Sequence, residues 1–212
     1  MLMLLCSAAL PCAAAPDVAS KAVPLRVQTD WILHALAQPA PSRTDFVELR
    51  GSPMLKAPLR LQGEYRRPDS ATLVREVRVP YAETTTLHQG QASIVRPGKP
   101  VRNFSLSRAP ELAQWLAGFA ALLAGDRTAL ETQYRLVAQG TPQRWTLLLT
   151  PIDAELKARL HDITLHGQGT ELRCIETRPA KGDLQRTLLG RAASAATQDI
   201  TADALAGLCH GR

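Results

Sequence analysis

Histidines and carboxylates come first, because a metal centre or an acid–base pair needs them at fixed spacings. Of the five histidines, His161 and His166 are the nearest along the chain. Five apart on a strand, they fall on opposite faces and cannot share an ion, so each reads as a polar surface or edge residue. Asp153 and Glu155 fit an acid/base pair or the negative charge at a helix start, and their spacing leaves both readings open. No Gly-x-Ser-x-Gly elbow, His-Glu-x-x-His pair, Cys-x-x-Cys pair or glycine-rich phosphate loop occurs. A resident metal, a cofactor and a catalytic nucleophile are therefore not expected, and the chain reads as a binding protein rather than an enzyme.

Two of the four cysteines sit in MLMLLCSAALPCAAA, residues 1–15. This apolar stretch has the length of a secretory h-region and ends in small residues, which predicts a signal peptide cleaved on export to the periplasm, although no Lys or Arg precedes it. It is too short and too interrupted by Pro11 to span a bilayer. Setting it aside leaves Cys174 and Cys209 as two buried thiols or one disulfide. The Ala-rich tail after Gly190 has little else to tie it down and favours the bond.

The chain of 212 residues carries 25 Lys+Arg against 19 Asp+Glu, a formal net charge of +6, which raises the question of a nucleic-acid partner. The arrangement argues against one: basic runs stop at pairs such as Arg66-Arg67, acidic residues interleave with them, and no aromatic and basic alternation offers a stacking platform. A hydrophobic content of 45% suffices for one ordinary core, and 15 Pro with 13 Gly exclude a long-helix bundle.

After a linker over residues 16–27, Thr29 or Asp30 is placed to cap a helix carrying Trp31, Ile32, Leu33 and Leu36, stopped by Pro39 and Pro41. The period then changes to two. Strands are predicted at 44–50, 57–65, 72–79, 83–88, 92–96 and 102–106, and again at 131–138, 144–149, 163–166, 171–176 and 184–189, with a helical turn within 151–159. Leu59, Leu61 and Tyr65 share one parity, as do Leu73, Val77 and Val79. Arg60, Gln62, Glu64, Arg66, Glu76 and Arg78 point the other way. About eleven strands imply a mainly β fold, a strongly curved antiparallel sheet or unclosed barrel.

Between the two strand groups lies APELAQWLAGFAALLA, residues 109–124, with Pro110 in the first turn and Gly125 placed to end a helix. Leu112, Trp115, Leu116, Phe119 and Leu123 follow helical spacing, and Ala and Leu122 fill most other faces. Such a helix is buried on more than one side, as a core helix or as a lid over an apolar cavity.

The order of a short helix, Phe46-Val47-Glu48, Gly63-Glu64-Tyr65-Arg66-Arg67-Pro68-Asp69, a meander, and an apolar helix running into Leu123-Ala124-Gly125-Asp126 resembles the LolA family of periplasmic lipoprotein carriers. Trp145 to Pro151 and the strand from Ile163 to Gly167 fit as well. The resemblance covers residues 28–190, leaves 191–212 as a tail, and looks closest to the LolA-related branch found beside lipid or aryl-polyene pigment biosynthesis proteins. It implies an eleven-stranded unclosed barrel under a helical lid that moves acyl chains, of a lipoprotein, a lipid or an aryl-polyene-type cargo, toward the outer membrane without catalysis. It also implies an inner-membrane exporter and an outer-membrane acceptor as partners. Arg67 matches the family arginine that latches the lid, and Phe46, Tyr65 and Trp145 match its aromatic or apolar strand positions. The nominated cavity residues are Phe46, Leu59, Leu61, Tyr65, Leu73, Val77, Val79, Phe104, Trp145 and Leu147, under the lid residues named above. A monomer is expected. The alternative is a periplasmic protein-interaction module that docks on an export or envelope-assembly partner through the apolar helix.

Overall fold

The computed structural model describes residues 26–50, 58–108, 118 and 121–212. The signal-peptide segment and the lid residues Leu112, Trp115, Leu116 and Phe119 lie outside the described residues. The period-two segments form β1 (Ser42–Arg50), β2 (Leu59–Arg67), β3 (Thr72–Val79), β4 (Glu83–His88), β5 (Gln91–Val95), β6 (Arg102–Ser105), β7 (Tyr134–Thr141), β8 (Arg144–Pro151), β9 (Leu160–Gln168), β10 (Glu171–Pro179) and β11 (Gln185–Leu189). The helices are α1 (Thr29–Leu36), α2 (Arg127–Glu131), α3 (Ala154–Lys157), α4 (Gly190–Ser194) and α5 (Ala202–Cys209), and residues 121–124 are also helical.

All eleven strands join one antiparallel sheet in the order β6-β5-β4-β3-β2-β1-β11-β10-β9-β8-β7. β6 and β7 are its two edges, and no pairing joins them among the described residues, so the barrel is unclosed. The last strand in sequence, β11, inserts beside the first and binds the two strand groups into one sheet.

Alternation along each strand gives the sheet an inner and an outer face. On the inner face, Ile32, Leu33 and Leu36 of α1 pack with Leu130, Tyr134, Trp145, Leu147 and Leu165. A second inner cluster joins Phe46, Leu61, Val77 and Leu189. On the outer face, Val47, Leu188 and Cys174 form an apolar cluster with Ala192, Ala193 and Leu205 of the C-terminal helices. Residues 191–212 therefore form a cover on the back of β1, β11 and β10. It is fastened by the Cys174–Cys209 disulfide, which the cysteine count had favoured.

Local chemistry departs from the sequence expectation in two places and decides an open reading in a third. α1 is preceded by Gln28 with no side-chain cap, because the helix already starts at Thr29 and both expected caps, Thr29 and Asp30, lie inside its first turn; both Asp30 oxygens accept from Arg127 Nη1 at 3.1 Å, tying α1 to α2. Asp153 resolves its two readings as a cap, its carboxylate accepting from the backbone N–H groups of Glu155 and Leu156 at the start of α3. Val79 is 45% exposed rather than turned inward. The register shifts between Gln62 and Gly63, which pair with Val79 and Val77, and this irregularity rotates the end of β3 out of the alternation.

The helix preceding α2 stops as expected at Gly125, where φ is +68°. The Gly125 N–H bonds to Leu122 O and the Asp126 N–H to Ala121 O, the paired bonds of a Schellman ending. On β9, Gly167 faces the Trp145 ring, whose Nε1 donates to Gly169 O at 2.8 Å. A Cβ on Gly167 would lie 1.9 Å from the indole. Gly167→Ala is therefore expected to destabilise the fold by about 2–3 kcal/mol, read from the urea midpoint; an unchanged midpoint would mean that the indole can shift at no cost.

Candidate ligand cavity

Two adjoining cavities of about 330 and 350 Å³ lie against the inner face and share Tyr65 and Leu122 in their walls. In the first, one wall is apolar: Leu122, Tyr134, Leu149, Ile163, Leu165 and Ile175. The facing wall is polar and comes from the central strands, with Glu48 and Arg50 on β1, Tyr65 on β2, Arg75 on β3 and Gln185 and Thr187 on β11.

The polar wall is an ordered network. Glu48, 4% exposed, accepts from Arg50 Nε and Nη2 on Oε1 at 2.9 and 2.7 Å, and from Arg75 Nη2 on Oε2 at 3.1 Å. Arg75 Nε donates to the Tyr65 hydroxyl at 3.3 Å, and its guanidinium carbon stands 4.7 Å above the Phe46 ring. Burial pushes the Tyr65 phenol up, so it stays neutral. Burial also works against the Arg75 charge, but Tyr65 and Glu48 outweigh it and hold the guanidinium above its ordinary value. Among the described lining residues, two arginines and one glutamate give this wall a formal charge of +1.

The second cavity runs from Tyr65 to the mouth between β1, β10 and the helical segment, lined by Leu73, Leu123, Leu172 and Arg67 among others. Arg67 Nη1 donates to Gln38 O at 2.8 Å, just beyond the end of α1, so this side chain ties β2 to the exit of the first helix.

Of the nominated cavity residues, Tyr65, Leu73 and Leu123 line the two spaces. Phe46, Leu59, Leu61 and Val77 pack together beneath them, Trp145 and Leu147 belong to the core under α1, and Phe104 packs with Leu87, Ala92 and Leu106. Glu48, Arg50 and Arg75 were missed. For Arg75 the available signal was parity, since it sits between Leu73 and Val77 on the inward series; on β1, where Phe46 and Val47 are both buried, parity assigns Glu48 and Arg50 no side.

On the outer face a second polar group forms. His166 finds no partner in the exposed His161; its Nε2 meets Glu176 Oε2 at 3.0 Å, while His210 Nε2 meets Glu176 Oε1 at 3.2 Å. Arg186 also donates to Glu176 Oε1. Burial raises the Glu176 carboxyl, but the bonds from His166 and Arg186 prevail and hold it down to about 2.

A family model described as outer membrane lipoprotein carrier protein LolA-like matches residues 21–212. The chain belongs to this family. No curated protein matches it. Among solved structures, a LolA superfamily protein of Nitrosomonas europaea aligns at 11% identity over 78% of this chain and 91% of that one, with a TM-score of 0.38. MucB aligns at 21% identity, covering 79% of this chain and 59% of MucB, with a TM-score of 0.40. LprF of Mycobacterium bovis aligns at 13% identity over 80% and 94%, with a TM-score of 0.35. In this LolA-like chain the eleven-stranded order, the unclosed edges and the helix ending at Gly125 agree with the architecture the sequence implied.

Proposed function

We propose that this LolA-like chain is a periplasmic carrier for an amphiphile, a lipidated protein or a lipid. The acyl portion lies between the apolar wall and the helix ending at Gly125, and the polar end turns toward Arg50 and Arg75. The two-sided lining of the first cavity carries this reading. Each methylene withdrawn from water contributes about 0.8 kcal/mol, so an acyl chain needs only the apolar wall. A purely apolar cargo would gain nothing from the facing charges, whose desolvation costs several kcal/mol. An amphiphile uses both walls. The family membership supports transport without catalysis, and the Cys174–Cys209 bond suits an oxidising compartment.

Release requires a second state of similar energy, and Arg67 supplies a contact that differs between the two. Held on Gln38 O, it keeps β2 closed against the exit of α1; opening the mouth costs that one bond. Arg67→Leu is expected to speed release of a fluorescent fatty acid by about tenfold, the equivalent of one charge-assisted hydrogen bond, with little change in the unfolding midpoint. Equal release rates would remove Arg67 from the mechanism.

The direct test is native mass spectrometry of protein purified without detergent, followed by delipidation and rebinding of fatty acids, lysophospholipids and fatty alcohols. Retention or rebinding of one acyl ligand per chain supports the carrier, and tighter binding of the anionic members supports the role of the arginines. Failure to retain or rebind any of them overturns it.

A further inference from the structure

The outer-face group assembles donors from four separate parts of the chain: His166 on β9, Glu176 on β10, Arg186 on β11 and His210 just after α5. Both imidazoles turn Nε2 toward the same carboxylate, and the ring centroids are 4.9 Å apart. The possible ligand atoms of His166, Glu176, His210 and Cys209 all lie within 4.8 Å of one another. The Cys209 sulfur is committed to its disulfide, which leaves two nitrogens and a carboxylate.

We propose that His166, His210 and Glu176 form a binding site for a zinc-class dication on the outer face, separate from the cargo cavity. Distances support it. An ion with ligands at 2.0–2.1 Å in tetrahedral array sets neighbouring donor atoms about 3.3 Å apart. The two imidazole-to-carboxylate separations here are 3.0 Å to Oε2 and 3.2 Å to Oε1, and the ligand nitrogens of the two rings lie within 4.8 Å of each other, so a single ion replaces the two bridging protons once the rings draw together on it. Arg186 stays on the carboxylate as its outer partner, holding its orientation as second-shell groups do. Beside the group lies a cavity of about 220 Å³ bordered by His166, His210, Arg144 and Arg173, with room for a water as a fourth ligand.

The surroundings also select the ion. Arg144, Arg173, Arg186 and Arg212 all stand around the group and oppose a cation held by charge alone. Calcium and magnesium, which need several oxygens, are therefore excluded, whereas imidazole nitrogens suit zinc or copper(II). Coordination through Nε2 needs each ring neutral with its proton on Nδ1. For His210 this displaces Arg212, whose Nη2 lies 3.2 Å from Nδ1 and whose side chain is exposed and able to turn away. An occupied site would pin α5 to β9 and β10 beside the disulfide.

Calorimetric titration of the full chain, disulfide intact and free of chelator, with Zn²⁺ at neutral pH tests this. One ion per chain at micromolar Kd or tighter is expected, weakened about tenfold or more in His166→Ala and in His210→Ala, and unchanged in His161→Ala. A variant that loosens α5 would also lose the ion, so the unaltered protein supplies a second measurement. Paramagnetic Co²⁺ should broaden the imidazole proton signals of His166 and His210 and leave His34, His88 and His161 sharp. Absence of stoichiometric binding, undiminished affinity in His166→Ala and His210→Ala, or broadening centred on another histidine would overturn the site.

Discussion

Replacing Glu48 with alanine is expected to cost about 3 kcal/mol of stability, although the side chain lines a cavity and belongs to no apolar cluster. Both carboxylate oxygens are occupied, one by Arg50 and the other by Arg75. Truncation leaves the Arg75 guanidinium, whose side chain is only 17% exposed, facing Tyr65 and Phe46 with no anion. Breaking a buried pair from one side typically costs about 3–5 kcal/mol, and the lower end applies because Arg50 is nearly half exposed and water can take over its share. Glu48→Gln, which keeps an acceptor oxygen and the shape, should lose less. Urea denaturation of the delipidated protein measures both. Glu48→Ala at parental stability would mean that water already solvates Arg75 and that the polar wall is not a desolvated network. The same substitution raises the net charge of the wall from one to two. Anionic amphiphiles should therefore bind more tightly relative to fatty alcohols, a change in preference that general loosening of the fold would not produce.

That network marks the limit of what the sequence revealed. The strand count and the glycine stop at Gly125 were legible because period-two alternation and left-handed turns are local properties, whereas the unclosed barrel, one of two readings the strand count left open, came with the family resemblance. Strands β3 and β4 coincide with their predicted ranges. Parity works where one face is apolar and the other polar, and it fails on β1, where Phe46 and Val47 are both buried. The outer face of β1 is covered by α4, a contact between segments about 150 residues apart that no local pattern reports. With both faces apolar, Glu48 could not be assigned a side. His166 escaped for a related reason, since its neighbour in space is His210, 44 positions away, rather than His161. Residue type nominated Tyr65, Leu73 and Leu123 for the cavity, while Phe46, Trp145 and Leu147 satisfied the same pattern as packed core. Pattern alone does not distinguish a wall from the layer behind it.

Removing the disulfide with Cys174→Ala/Cys209→Ala is expected to lower global stability by about 4 kcal/mol, the chain-entropy value for closing a loop of this size. The cysteines are 35 residues apart, and the loop between them contains β11, α4 and most of α5. The effect should be uneven. β11 keeps its ladders to β1 and β10, and α4 its packing on β1, whereas α5 retains Leu205 against the outer face and the polar contacts of His210, Arg144 and Arg173. Those contacts are partly exposed and contribute little without the covalent tie. Amide exchange should therefore rise first in α5, before β8, β9 and β10 are affected. Once α5 leaves, Leu188 on β11 and Ala193 on α4 lose part of their cover, which loosens β11 and, through its ladder, the neighbouring strand that carries Glu48 and Arg50. Cargo affinity should then fall along with stability although no cavity residue has changed. Uniform loss of protection across the sheet, or an unchanged urea midpoint, would contradict a C-terminal cover that stabilises the cavity from behind.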